Sequence, residues 1–235
     1  MKVIFFDYKK RDEVKSKYLV SDVTDLVEKY REDKSVCFIS SANSLLFMDG
    51  GSDLGYMKAI TNIEKKAKSG LNNLEFISNC GRTYLPIGCS QMISPEGTYK
   101  FISTPSMFLP QKVNNTFNPY HALRSALNLV KKYNDESIRN GQVDTVIETV
   151  YTPFMCAGWG GFTMDESHKL MMKAVEDYEN CSSDYDYIYK SIDNSFVRFN
   201  IHKRYKEITQ EQPKVYMNTE FGITIEQVLQ NMKKN

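Results

Sequence analysis

The chain has 235 residues, 41% hydrophobic, 25% charged and 12% aromatic, with a formal charge of +1. That length suits one generous domain or one domain with an extension, and the near-neutral charge excludes a global field that would draw the protein to nucleic acid or an anionic membrane. No apolar run approaches the ~18 residues that span a bilayer, the start of the chain reads as a strand rather than a secretory leader, and the cysteines (Cys37, Cys80, Cys89, Cys156 and Cys181) lack metal-ligand spacing and read as reduced thiols. The expectation is a soluble intracellular protein, cytoplasmic with the nucleus left open, with no membrane partner, no specific nucleic acid and no cofactor.

In chain order, residues 2–6 are apolar and β-prone, a predicted first strand, and residues 9–13 form a charged turn. Residues 18–20 predict a second short strand, and Asp22 follows it as N-cap or turn former to a helix-like segment over 25–30. Residues 36–40 predict a buried strand. Leu54, Met57, Ile60 and Ile63 have the spacing of one helix that Gly70 ends. Another apolar stretch covers 74–77. Pro86 and Gly88 mark a bend before an apolar strand running to Ile93, and Glu96-Gly97 is a turn signal before a strand over 99–102, which together predict a hairpin. Tyr120, Leu123, Ala126, Leu127 and Val130 define an amphipathic helix over 119–133, with Asn118 as N-cap and Pro119 at N1. Residues 143–151 alternate and are β-branched, the strongest strand signal in the chain. A helix over 164–179 follows, with Leu170, Met171, Ala174, Val175 and Tyr178 as its core stripe. From Ser182 the chain turns acidic and aromatic. A charged segment covers 201–208, an edge strand is expected over 215–217 and a short helix over 223–232. Residues 1–181 are expected to form one domain and residues 182–235 an extension packed on it. Alternating strands and helices predict an α/β fold, a three-layer α/β/α sandwich, and the hairpin makes its central sheet mixed.

Two strand-to-helix turns are rich in glycine. The first runs from Ser40 to Asp53 and offers Asn43, Asp49, Gly50, Gly51 and Asp53; the second is Cys156-Ala157-Gly158-Trp159-Gly160-Gly161. Glycines allow close approach of a ligand, and successive N–H groups ahead of a helix make an anion nest. The spacing is neither the dinucleotide fingerprint nor a phosphate-binding loop with Lys-Ser/Thr. Asn43 carries donors and an acceptor suited to sugar hydroxyls. Asp49 and Asp53 can cap the next helix or orient a water. Trp159 stands between glycines as a lid over a ligand or as packing over the sheet edge.

Asn43 through Asp53, with its Ala-Asn-Ser start and Asp-Gly-Gly-x-Asp end, resembles the first ligand loop of macro domains, which are ADP-ribose-binding α/β/α modules. Further matches follow in order. Leu85-Pro86-Ile87-Gly88 resembles the family's Leu-Pro-x-Gly. Residues 103–107 are similar to a Pro-Thr-Met-like segment of one subgroup. Residues 156–161 resemble the pyrophosphate-gripping loop. The similarity covers roughly residues 1–180. It implies that Asp22 receives the adenine amino group, Asn43 holds the distal ribose, and Gly50 and Gly51 surround that ribose and its phosphate. It further implies that Asp53 positions or activates water and that Cys156, Ala157, Gly158, Trp159, Gly160 and Gly161 form the diphosphate loop. The chain departs from the pattern in carrying Phe47-Met48-Asp49-Gly50-Gly51 where many hydrolytic members have three or four consecutive glycines.

The resemblance implies ADP-ribose or a derivative as ligand, with hydrolysis at the distal ribose of either ADP-ribose 1″-phosphate or an ADP-ribosylated protein carboxylate. Asn43 and Asp53 would be the catalytic pair, with Asp49 and His121 as lesser acid–base candidates. The alternative is a non-catalytic reader of ADP-ribose or of ADP-ribosylated proteins. A third reading is a diverged domain that binds something else or serves assembly.

Overall fold

The computed structural model describes residues 1–9, 18–71, 74 and 84–181. The expected turn over 10–13, the stretch over 75–77 and everything assigned from Ser182 onward lie outside the described residues. The chain resolves into two compact units, Met1–Val175 and Glu176–Asn235, and the first holds the sheet.

The strands are β1 (Lys2–Asp7), β2 (Leu19–Val20), β3 (Val36–Ser40), β4 (Gln91–Ile93), β5 (Lys100–Ser103) and β6 (Thr149–Pro153). They form one sheet in the order β2-β1-β6-β3-β5-β4. Every pairing is parallel except β4 against β5, where Met92 faces Ile102. The predicted hairpin is therefore present and makes the sheet mixed.

The helices are α1 (Val23–Lys29), α2 (Gly51–Ala59), α3 (Ile63–Gly70), α4 (Asn118–Arg139) and α5 (Met164–Glu179). Strand side chains alternate between faces. Phe6, Phe38, Phe101 and Tyr151 share one face and are buried with Val23, Leu26, Tyr56, Ile63 and Ala67 of α1, α2 and α3 and with Ile60 just past the end of α2. Phe38 sits at the centre of that layer, its ring 5.3 Å from Tyr99 and 5.6 Å from Tyr151. On the other face Phe5 meets His168 of α5 at 5.0 Å, and the Lys100 amine lies 5.5 Å from the Tyr133 ring of α4. Helices thus cover both faces, giving the three-layer α/β/α sandwich. Among the described residues, no helix is long and apolar enough to cross a membrane.

Several boundaries differ from the sequence expectation for identifiable reasons. The single helix ending at Gly70 is two helices, because Asn62 adopts the left-handed conformation (φ 57°) between them, which Asn tolerates better than most residues. The strong strand signal over 143–151 pairs only from Thr149, where both β1 and β3 begin to offer partners. Val143–Thr145 instead makes a 3₁₀ turn, and Asp144 reaches Lys34 at 2.7 Å. Asn118 is not the cap of α4 but its first residue. Phe117 holds the cap position, and the Asn118 carboxamide donates to the Ser106 carbonyl at 3.0 Å.

Helices α1 and α2 touch most closely at Gly55, where an added Cβ would stand 2.7 Å from the Cβ of Val23. A branched side chain there must push the two helices apart. Gly55→Val is expected to lower the unfolding free energy by ~2 kcal/mol or more, read as a lower urea midpoint. An unchanged midpoint would show that the interface has room.

Candidate functional site

Strands β3 and β6 are parallel neighbours, so their carboxyl ends open on the same edge of the sheet. From β3 the chain runs through the first glycine turn into α2, and from β6 through the second toward α5. One cleft lies between them, lined by Asn43, Asp49, Gly50, Gly51 and Asp53 from the first turn and by Cys156, Gly158 and Trp159 from the second. It encloses about 100 Å³. That is well below the roughly 300–1,000 Å³ of a pocket that takes in a whole drug-sized ligand, so a nucleotide-sized ligand would enter by one part only.

The first turn is built from within and from outside. Asn43 Oδ1 accepts from the N–H of Leu45 at 3.0 Å and of Phe47 at 3.3 Å, while its Nδ2 donates to the Phe47 carbonyl at 2.8 Å. The sequence offered the donors and the acceptor of this carboxamide to sugar hydroxyls, and the structure commits the acceptor to the turn. One Nδ2 hydrogen remains for a ligand. The fork holds Leu46 at φ 58° with its side chain fully buried. From α3, Glu64 accepts the Met48 N–H at 2.8 Å, and its other oxygen meets Lys68 at 2.6 Å. The segment after β5 continues the sheet beside the turn. Ser106 N–H donates to Ala42 and Ser44 N–H to Met107, and Ser106 and Met107 line the cleft.

Asp53 lies in the first turn of α2, only 8% exposed, and accepts a 2.7 Å hydrogen bond from Ser40 Oγ. Burial pushes its carboxyl up to about 7, the Ser40 hydrogen bond opposes the rise, and the charge of Asp49 adds to it. The group therefore changes charge near neutral pH. No side chain caps α2, so its first N–H groups stay available for an anion.

The second turn is held by glycine geometry. A Cβ on Gly160 would lie 2.5 Å from the Cys156 carbonyl, and Gly161 (φ 82°) packs on Lys112. Phe162 N–H donates to Cys156 and Gly161 N–H to Gly158. Among the described residues, no hydrogen bond is made by the backbone N–H of Gly158, Trp159 or Gly160. Trp159 is 68% exposed at the rim. Among the described residues no Lys or Arg lines the cleft, and the backbone N–H groups and helix ends there suit an anion.

Some sequence candidates fall elsewhere. Ala157, Gly160 and Gly161 shape the second turn without lining the cleft. Asp22 caps α1, accepting from the Thr24 N–H at 2.8 Å, and is not part of the lining. His121 sits on α4, also outside it. Tyr8, Ser40, Glu64 and Phe154 were not singled out by sequence. Tyr8 and Phe154 line the cleft directly after β1 and β6, and position just past a parallel strand's carboxyl end was the signal that could have found them.

No family model and no curated protein matches the sequence. Solved structures similar to the chain include an Oceanobacillus iheyensis macrodomain with ADP, at 19% identity over 78% of this chain and 90% of that one, with a TM-score of 0.48. A mutant of that macrodomain with ADPR is similar at 18% identity over 62% and 71%, TM-score 0.45. The macrodomain of Mycobacterium tuberculosis DarG is similar at 14% identity over 63% and 84%, TM-score 0.45. Likeness at this level assigns neither ligand nor reaction.

The buried Asp53 carboxyl has a direct thermodynamic consequence. Its folded value near 7 lies above the ordinary 3.8, so between those values the folded state binds more protons than the unfolded one. Stability falls as pH rises through that window, and the penalty is complete above 7. Asp53→Asn keeps an acceptor for Ser40 and never ionises. It is expected to raise the unfolding free energy at pH 8 by roughly 2–4 kcal/mol, with the gain shrinking toward zero as pH falls to about 4. Thermal melts across that range check it, and a gain independent of pH would contradict the burial argument.

Proposed function

We propose that the cleft binds the diphosphate and distal ribose of an ADP-ribose derivative and hydrolyses the bond at the distal ribose. The observation that carries this reading is the convergence of the two glycine turns, far apart in sequence, around the buried carboxyl of Asp53. The N–H groups of Gly158 and Trp159, unbonded among the described residues, suit a diphosphate together with the uncapped end of α2. The sequence resemblance to macro domains supplies the identity of the ligand, and a similar solved macrodomain is described with ADPR.

In this reading binding energy from the diphosphate orients the reacting carbon beside Asp53. The remaining Asn43 N–H holds a ribose hydroxyl. Asp53, once ionised, takes a proton from the attacking water while the phosphate or protein carboxylate leaves from C1″. Asp22, placed at the base of α1, fits the adenine end only by the family resemblance. The second reading, a non-catalytic reader of ADP-ribosylated proteins, is favoured by one observation: the Asn43 acceptor is tied to its own turn, which limits its grip on the ribose.

Calorimetry with ADP-ribose, followed by incubation with ADP-ribose 1″-phosphate and with an ADP-ribosylated protein, tests the reading. Asp53→Ala is expected to retain ADP-ribose affinity and to lose turnover by about 10²–10⁴-fold. For the wild type, kcat/KM should climb with pH and level off above about 7, where Asp53 is ionised. A binding protein with no turnover on either substrate is a reader, and absence of ADP-ribose affinity removes both readings.

A further inference from the structure

Tyr8 stands directly after β1, on a strand that carries neither glycine turn, yet its side chain reaches both. Its hydroxyl oxygen lies 3.2 Å from the point where a Cβ on Gly51 would be and 3.9 Å from the corresponding point on Gly158. Gly51 is in the left-handed region at φ 61°, so a side chain there would be strained and would also press on the phenol. The hydroxyl thus occupies the space between the two turns, over the first residue of uncapped α2 and against Gly158, whose N–H, like that of Trp159, makes no hydrogen bond among the described residues. A phenol is a neutral O–H donor on a stiff ring. In a lining that carries Asp49 and Asp53, it is a side-chain donor able to meet an anion without forming an ion pair with those carboxylates.

Resting on the ADP-ribose reading above, we propose that the Tyr8 hydroxyl is a further ligand-binding group of this site, donating to a diphosphate oxygen at the point where the two turns come together. The same position gives the cleft its selectivity. A ligand with a diphosphate bridges from α2 to the second turn and meets the phenol between them, whereas a monophosphate engages one side only.

The test is calorimetric titration of the full chain and of Tyr8→Phe with ADP-ribose, ADP and AMP. Tyr8→Phe keeps the ring and removes one oxygen, and equal melting temperatures verify that the fold is retained. Tyr8→Leu provides a second variant and should lose at least as much affinity. The expected result is affinity for ADP-ribose and ADP about tenfold weaker or more in Tyr8→Phe, as for loss of a hydrogen bond to a charged group, with AMP unchanged. Unaltered or tighter ADP-ribose binding by Tyr8→Phe would overturn the assignment, the tighter case marking the hydroxyl as an obstruction. An equal loss for AMP would also overturn it, by showing a general loosening of the cleft. If the wild type itself binds no ADP-ribose, the functional reading fails and this inference falls with it, a result distinct from a wild type that binds while Tyr8→Phe binds equally well.

Discussion

The parallel pairing of β3 with β6 is the constraint on which the site depends. Val36 faces Thr149 and Phe38 faces Tyr151, so two segments distant in the sequence leave the sheet side by side and in the same direction. Each then runs through a glycine-bearing connection of ten residues to a helix. Had β6 paired in the opposite sense, the second turn would lie at the far end of the sheet. The pairing is secured by the aromatic layer beneath it: Phe38 touches Tyr151, Tyr99 and Tyr56, and burial of such rings is among the larger contributions a core can make. Core and cleft therefore share their determinants, and a change that slips β6 by one residue would turn its core side chains outward and misplace the second turn together.

Electrostatics at the sheet edge divides between a place for negative charge and a place that resists it. Backbone N–H groups at the start of α2 and along residues 158–160 favour an anion. Asp53, a few ångströms of chain further on, is buried enough that its own charge is disfavoured near neutral pH. A bound diphosphate would disfavour that charge further, since like charges in a partly dry cleft interact more strongly than in water. The carboxyl's proton affinity in the complex would then exceed that in the free protein. On the proposed reading, occupancy of these N–H groups and the protonation of Asp53 would in this way be linked, and the destabilising carboxyl would be tolerated as at sites where function and stability oppose each other.

Much of this was legible in the sequence where the pattern is local. The alternation and burial of residues 36–40, the helix over 164–179, the hairpin across Glu96-Gly97 and the glycine content of both turns were all readable, and they suffice for the sandwich and for the location of the cleft. What failed to read was what depends on partners. The strand signal of 143–148 is as good as that of 149–151, but only the latter meets neighbours. Asn62 breaks a helix whose apolar spacing is uninterrupted. Tyr8 carries no motif at all, and its reach to Gly51 and Gly158 exists only once β1 lies next to β6. The Asn43 carboxamide could be recognised as special, but not that its acceptor is consumed by Leu45 and Phe47, because a residue that builds a turn and one that faces a ligand from it share the same letter.

The two turns differ in how they are held, and the difference bears on what each can contribute. The first is fixed by the Asn43 fork, by Glu64 reaching across from α3, by the pairing of Ser44 with Met107, and by a buried leucine in a left-handed conformation. Its geometry is set during folding, so a reacting centre placed against it meets groups already oriented, which is the condition for orientation to lower a barrier. The second turn has fewer internal bonds and carries exposed Gly158 and Trp159 at its tip. On the proposed reading its N–H groups would meet a phosphate, and the exposed indole would lie over whatever enters. The turn that bears the carboxyl and the turn that bears the unbonded N–H groups would, on the same reading, divide the two requirements of the site between them. Changes in the second turn would then alter affinity through the N–H groups of residues 158–160, while the placement of Asp53 beside a ligand would be governed by the first.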